Sequence, residues 1–347
     1  MENLVNQFKS VYAGKKILVT GHNGFKGSWL VGLLNYFGAK VLGVSLPMSE
    51  NSPFKSFHTH GPHSSHIIDI RDFQVLNGFI SENQPEVVFH LAAQSLVLDS
   101  YINPRETFEV NVQGTANLLE SITNTSCKGV ILTTTDKVYR NQEQGFKFKE
   151  TDELWGHDPY SLSKTGTELV ASAWRNLPST NKCKLVTVRA GNVIGPGDYA
   201  KNRLLPDILR GLRNGSETQI RNPDAIRPWQ YVLDPLIGYL LVGCKVITNK
   251  PLNNSYNFGP TDESFVSVRD LVAKVNLITP IRFNISQSSV GLESKILKID
   301  STLAQQELNW RSKTDLDTAL KYSIELNNSE IDSEVINNHI ENYLLDF

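Results

Sequence analysis

The chain has 347 residues, 40% hydrophobic and 20% charged, with a formal net charge of -2. That is the balance of a globular protein with a sizeable core, and it offers no electrostatic case for nucleic acid or an anionic membrane surface. Cys127, Cys183 and Cys244 are too few and too scattered for a disulfide framework. No apolar run is long enough for a membrane span or a leader, so a cytoplasmic protein is the expectation.

Lys15 to Gly21 (KKILVTG) is a short apolar run of the kind that forms a buried parallel strand. It leads into Gly21-His22-Asn23-Gly24-Phe25-Lys26-Gly27, and Ser28 to Phe37 then reads as a helix. Glycines at 21, 24 and 27 make a variant of the dinucleotide fingerprint. The first allows a tight turn, the second lets backbone approach a diphosphate, and the third lets helix and strand pack closely. The diphosphate would sit on the free N–H groups of the helix start, which makes Gly21, Asn23, Gly24, Phe25 and Gly27 cofactor candidates.

Val41 to Leu46 predicts a second strand. Ser45 stands near its end, where such sites usually place Asp or Glu on the ribose, so these residues alone leave NAD and NADP both open. Pro47 to Ser65 reads as a polar surface loop. His58, His60, His63 and His66 crowd it and its edge, but no cysteine or carboxylate cluster accompanies them, and no metal is expected. Ile67 to Asp69 predicts a third strand, with Asp69 and Ile70 placed for the adenine. Asp72 caps a helix to about Asn83. Val87 to Ala93 (VVFHLAA) is a fourth strand, ending in Leu91, Ala92 and Ala93, where a cofactor can lie close to backbone. Pro104 to Thr123 is a helix, Gly129 to Thr135 a fifth strand, Tyr160 to Asn176 a helix and Leu185 to Ala190 a sixth strand.

This alternation predicts an α/β fold, a Rossmann-type doubly wound parallel sheet whose ligands bind at the carboxyl ends of the strands. Gly21, Ala93, Thr135 and the start of the Tyr160 helix all fall there. Residues 1–190 read as an NAD-binding Rossmann domain, rejoined by about 228–258. Residues 191–227 and 259–347 read as a smaller C-terminal substrate-binding lobe. Tyr160 and Lys164 share one helix face. A free tyrosine, with a pKa of about 10, needs a cation beside it to serve as a base at neutral pH. With eleven tyrosines in the chain this spacing also arises by chance, as Tyr12 and Lys16 illustrate.

The stretches VTGHNGFKGSWL (19–30), FHLAAQSLV (89–97), TTDKVY (134–139), GHDPYSLSK (156–164), RAGNVIGPGDYAKNRLLPD (189–207) and IRNPDAIRPWQYVLDPL (220–236) together resemble the extended short-chain dehydrogenase/reductases that act on nucleotide sugars. TTDKVY and IRNPDAIRPWQ resemble the CDP-glucose branch of their 4,6-dehydratases. The resemblance implies tightly held NAD, a hydro-lyase acting on CDP-glucose in deoxysugar, O-antigen or polysaccharide biosynthesis, and a homodimer or dimer of dimers built on the 104–123 and 160–176 helices. It implies that Tyr160 is the base for the sugar 4-OH, that Lys164 holds the cofactor ribose and keeps Tyr160 ionised, and that Thr135 bonds the oxygen at C4. Asp136 would be the acid for the departing 6-OH, with Lys137 acting at C5 where related dehydratases carry Glu. Gln94, Asn192, Arg203, Arg221 and Arg227 would contact the substrate. The chain departs from the family pattern at Ser95 and Leu98, and after Tyr139. The residues alone also admit a nucleotide-sugar 4-epimerase, or an NAD(P)-binding regulator without catalysis.

Overall fold

The computed structural model of the chain describes residues 2–180, 182–285, 294–327 and 329–345. Its strands are β1 (Lys16–Thr20), β2 (Lys40–Ser45), β3 (Ser64–Ile67), β4 (Val87–His90), β5 (Gly129–Thr133), β6 (Lys184–Ala190), β7 (Asn192–Ile194), β8 (Thr218–Ile220), β9 (Ile226–Tyr231), β10 (Ser255–Phe258), β11 (Phe265–Ser267) and β12 (Phe283–Ile285). Seven of them form a parallel sheet in the order β10-β6-β5-β4-β1-β2-β3, which reverses direction between β1 and β4. That reversal opens the crevice where ligands of doubly wound sheets bind. Later residues add a three-stranded sheet, β11-β9-β7, and a pair, β12-β8.

The central strands read as continuous apolar runs because both faces are covered. Ile17, Val19, Val87, Phe89, Ile131 and Val186 pack on one side with Trp29, Leu236 and Tyr256. Their neighbours Leu18, Val88, Val130, Leu132 and Leu185 pack on the other with Leu118 and Ala171. Each such side chain contributes about 1.5–3 kcal/mol when fully buried. Tyr12 belongs to the first core and donates to Leu240 O at 2.7 Å, so the Tyr12–Lys16 spacing is structural. Among the described residues no helix is long and apolar enough to cross a membrane.

Four elements differ from the sequence reading. The first crossover helix spans Phe25–Tyr36, three residues earlier than expected, because Gly24 in extended backbone already serves as its N-cap. The predicted loop contains a helix, Lys55–His60, and β3 begins at Ser64 rather than Ile67. β3 is the sheet edge, paired only with β2 from Leu42↔Ser64 to Ser45↔Ile67, so it carries no apolar run to announce it. The long helix is interrupted: Pro104–Phe108 and Gly114–Ile122 flank a π-helical turn, Glu109–Gln113. The turn aims Asn111 at Gln94 O (2.9 Å) and Ser163 Oγ (2.8 Å).

Candidate active site

At the end of β1 the glycines do three different things. Gly21 has φ +71, and a Cβ there would stand 2.7 Å from Ala92 N; at Gly27 it would stand 2.0 Å from Gly21 O. Gly24 has room, its nearest neighbour being Gly21 O at 3.4 Å. Among the described residues no side chain caps the helix that follows, so its first N–H groups remain available to an anion. This cradle fits a dinucleotide diphosphate, with Phe25 at its inner side in the cavity described below.

The groups beside the turn are mostly occupied in shaping it. Asn23 Nδ2 donates to Leu46 O (2.8 Å), and the Ser45 hydroxyl is taken by His22 Nδ1 (2.8 Å) and the Asn23 N–H (3.4 Å). Burial lowers His22 to about 4, so it is a neutral spacer. His58 bonds Ser28 Oγ and His63, each at 2.9 Å. These two histidines are therefore not on a surface loop: the helix 55–60 folds them against the back of the glycine turn. Among the described residues no cluster of His, Cys, Asp or Glu is arranged to hold a metal ion. Asp69 is bound bidentately by Arg71 (2.9 and 2.6 Å), whose hydrogen bonds hold its carboxyl below the usual range. Asn117 clamps this corner through Ile70 O (3.0 Å). The Ala92 N–H is fixed by Thr20 Oγ1 (3.2 Å), which aligns Leu91, Ala92 and Ala93 alongside the turn.

The second half of the site is set by the helix Pro159–Arg175. Pro159 occupies its first turn, and Asp158 caps it by accepting from Ser161 N–H at 2.9 Å. Tyr160 and Lys164 follow, both buried. Lys164 Nζ donates to Thr133 O at 3.0 Å, and burial, reinforced by Lys26, lowers it to about 7. Tyr160 is hydrogen-bonded to Thr135, yet burial outweighs that bond and the pull of Arg203, pushing the phenol up to about 12. The chain's own charges thus do not yield the low tyrosine pKa that the Tyr–Lys pairing led us to expect; desolvation wins.

Beyond the end of β5, Thr135 Oγ1 donates to Asp136 Oδ1 (3.0 Å) and accepts from the Lys137 N–H (3.4 Å). Lys137 Nζ lies 3.7 Å from that same carboxylate oxygen. Asp136 is 1% exposed, and its Oδ2, together with Thr133 Oγ1 and Asn192 Oδ1, has no partner among the described residues. Buried atoms left so are costly and concentrate at functional sites.

These elements surround a cavity of about 270 Å³, lined by Phe25, Ser95, Thr135, Lys137, Tyr160, Asn192, Arg203, Arg221, Arg227 and Trp229, among others. Arg203 spans Asp198 (3.2 Å) and Ser95 Oγ (3.0 Å), and Arg221 reaches Asn202 O (3.2 Å). Arg227 comes from β9 and Asn192 from β7, brought together by the register Asn192↔Trp229. Asp136 and Lys164 stand behind this lining rather than in it, and Gln94 is the exception among the expected substrate contacts. Its amide bonds Leu96 O (3.1 Å), Leu96 N–H (2.5 Å) and Thr107 Oγ1 (2.9 Å), and so folds the loop that presents Ser95 rather than facing the cavity. Sequence reasoning missed Lys26, Ser95, Asp198 and Trp229. Only Lys26 carried a local signal, a lysine inside the glycine turn.

The chain matches the model of the NAD dependent epimerase/dehydratase family over residues 17–259. It is 42% identical over 323 residues to the CDP-glucose 4,6-dehydratase of Salmonella typhimurium, covering 90% of each chain. It is 25% identical to the UDP-glucose 4-epimerase of Pisum sativum, over 87% of this chain and 93% of that one. Its fold superposes on that of the dTDP-glucose 4,6-dehydratase DesIV of Streptomyces venezuelae, solved with NAD bound, with a TM-score of 0.80 at 22% identity, covering 90% of this chain and 96% of that one.

Proposed function

Because the chain belongs to the NAD dependent epimerase/dehydratase family, we propose that it is a hydro-lyase converting CDP-D-glucose to CDP-4-dehydro-6-deoxy-D-glucose, with residues 191–227 and 259–347 serving the sugar nucleotide. The observation that carries this reading is Asp136. A 4-epimerase needs one acid–base group at C4, whereas here a second buried acid, with one oxygen free of partners, hydrogen-bonds the residue that faces C4.

Bound NAD supplies the hydride acceptor for C4 and the donor for C6; the rest falls to the chain. The glycine turn, Asp69 and Ala92–Ala93 hold the cofactor, and Lys164 orients its ribose. Tyr160 takes the proton of the 4-OH while Thr135 bonds its oxygen. Once C4 is a ketone the C5 proton is acidic. An ammonium cannot remove it, so Lys137 acts as the amine: it takes the C5 proton, steadies the enolate while charged, and returns a proton to C5 when hydride reaches C6. Asp136 protonates the departing 6-OH. Each turnover thus leaves Tyr160 one proton richer and Asp136 one poorer, and Thr135, bonded to both, bridges them.

Turnover of a panel of CDP-, UDP-, dTDP- and GDP-hexoses, with products identified by NMR, tests the reading. The expected product is a 4-keto-6-deoxy sugar from CDP-glucose, carrying solvent deuterium at C5, without net NAD reduction. Unchanged substrate, or a C4 epimer, overturns it. Tyr160→Phe is expected to lose turnover while still binding NAD, which a non-catalytic regulator would not do. The exposed Tyr101, Ile102, Phe108 and Leu169 support self-association through the helices that carry them, which sedimentation velocity would detect. The three free cysteines support a reducing, cytoplasmic setting.

A further inference from the structure

Lys26 is the cation of this cavity to which the mechanism assigns no task. It is the second residue of the helix Phe25–Tyr36, and its side chain lines the cavity with Thr135, Tyr160 and Arg203. The neighbouring cations are engaged: Lys164 on Thr133 O, Arg203 on Asp198 and Ser95, Arg221 on Asn202 O. Lys26 makes no hydrogen bond or ion pair among the described residues.

Its surroundings say which ligand it serves. The charges that act on it most are Arg203, then Asp136 and Asp198, and it in turn acts on Lys164. None belongs to the adenosine side, where Ser45, Asp69 and Arg71 lie, and the uncapped N–H groups of the helix start offer the cofactor diphosphate a separate place. The cavity lining carries five cations against two carboxylates, Asp198 and Asp207, so it is built for an anion. Burial, which lowers Lys26 to about 8, makes an ammonium expensive here. An apolar side chain of equal length would fill the position without that penalty.

We propose that Lys26 contacts the substrate, donating a charge-assisted hydrogen bond to an oxygen of the sugar nucleotide at the hexose end of the cavity, between Asp136 and Arg203. This rests on the nucleotide-sugar reading above and adds a residue that reading does not use. The test compares the unaltered protein with Lys26→Met and Lys26→Arg. It measures steady-state kinetics on CDP-glucose, calorimetric binding of CDP-glucose, NAD affinity by fluorescence quenching, and thermal unfolding.

Loss of one charge-assisted bond is expected to lower kcat/KM by about 10- to 100-fold in Lys26→Met, mainly through KM, with calorimetric affinity falling in parallel. NAD affinity should stay within about twofold, and Lys26→Arg should recover part of the loss. Unchanged sugar-nucleotide affinity in Lys26→Met overturns the proposal, as does an equal loss of NAD affinity, which would assign Lys26 to the cofactor. If the unaltered protein binds CDP-glucose without dehydrating it, the functional reading fails while Lys26 is still judged by the binding ratio. If it binds no sugar nucleotide at all, both fail. Should Lys26→Met not fold, the affinity of Lys26→Arg decides: wild-type binding of both ligands with an altered kcat/KM pH profile supports the contact, and an unaltered profile overturns it.

Discussion

Thr134 and Thr135 are neighbours at the end of β5, yet they serve two unlike polar clusters. Thr134 Oγ1 donates to Glu168 Oε1 (2.6 Å), which with Oε2 takes a two-pronged bond from Arg189 (2.8 and 3.0 Å). Arg189 goes on to Tyr139 OH (2.8 Å), and Tyr139 donates to Asn257 Oδ1 (2.7 Å). Burial pushes Glu168 up, but Arg189 more than reverses it and holds the carboxyl low. Thr135 opens onto the other cluster, where Asp136 keeps an oxygen unpartnered among the described residues and Tyr160 and Lys164 are both driven toward their neutral forms. In the same low-dielectric setting, one cluster is completed by the chain itself and the other is left to be completed by ligand. The first ties β5, β6 and the Tyr160 helix together; the second is the proposed seat of chemistry on that frame.

Exchanging neutral for charged groups in each cluster should expose the contrast. The largest effect is expected from Asp136→Asn, which removes the proposed acid for the 6-OH. Dehydration should slow by about 10²- to 10⁴-fold while the melting temperature holds or rises, since a buried carboxyl group with one oxygen unpartnered among the described residues is gone. Single-turnover absorbance at 340 nm should still show transient NADH, because oxidation at C4 does not need Asp136. A fall in melting temperature matching that of a structural variant would erase the distinction between the clusters.

Arg189→Met should do the opposite. It leaves Glu168 buried without its partner and should lower unfolding free energy by about 3–5 kcal/mol, measured by urea denaturation. The enzyme that remains folded should keep its KM for the sugar nucleotide. A double variant, Arg189→Met with Glu168→Leu, should recover part of the stability, because it restores neutrality.

The smallest effect is in pH dependence. Lys164 titrates near 7 when folded and near 10.4 when unfolded. Between those values the unfolded chain holds the proton and the folded one does not. Stability of the ligand-free protein should therefore rise with pH across that window, by on the order of 1 kcal/mol per pH unit at most, and the penalty should be fully in force below about 7. Lys164→Met should flatten that rise; an unchanged slope would mean that Lys164 is not held in a desolvated place. No comparable slope is expected from Glu168 there, since a carboxyl held low stays ionised throughout.

The glycine turn was legible because its parts lie within seven residues and each answers a local steric demand: positive φ at Gly21, close approach at Gly27, space at Gly24. The central strands were legible because double coverage leaves unbroken apolar runs, whereas edge strand β3, polar at Ser64, Ser65 and His66, was misplaced by three residues. Tyr160, Lys164 and Asp136 stood out through spacing and resemblance, but their ionisation did not, since desolvation depends on what packs around them. Gln94 shows the limit most plainly. It adjoins the cofactor strand in sequence, yet the π-helical turn at Asn111 and the Thr107 hydroxyl draw its amide into the loop.

Residue order by itself therefore determined the sheet, the glycine turn, the family and the Tyr160–Lys164 spacing, all of which follow from patterns a few residues long. Tertiary structure decided which polar atoms find partners. Arg227 and Asn192 come to line one cavity through the β7–β9 pairing, and Lys26 comes to share it with Arg203 only because the chain returns across the sheet. Charge, burial and hydrogen bonding at such places are sums over contacts distant in sequence, and no local pattern encodes them.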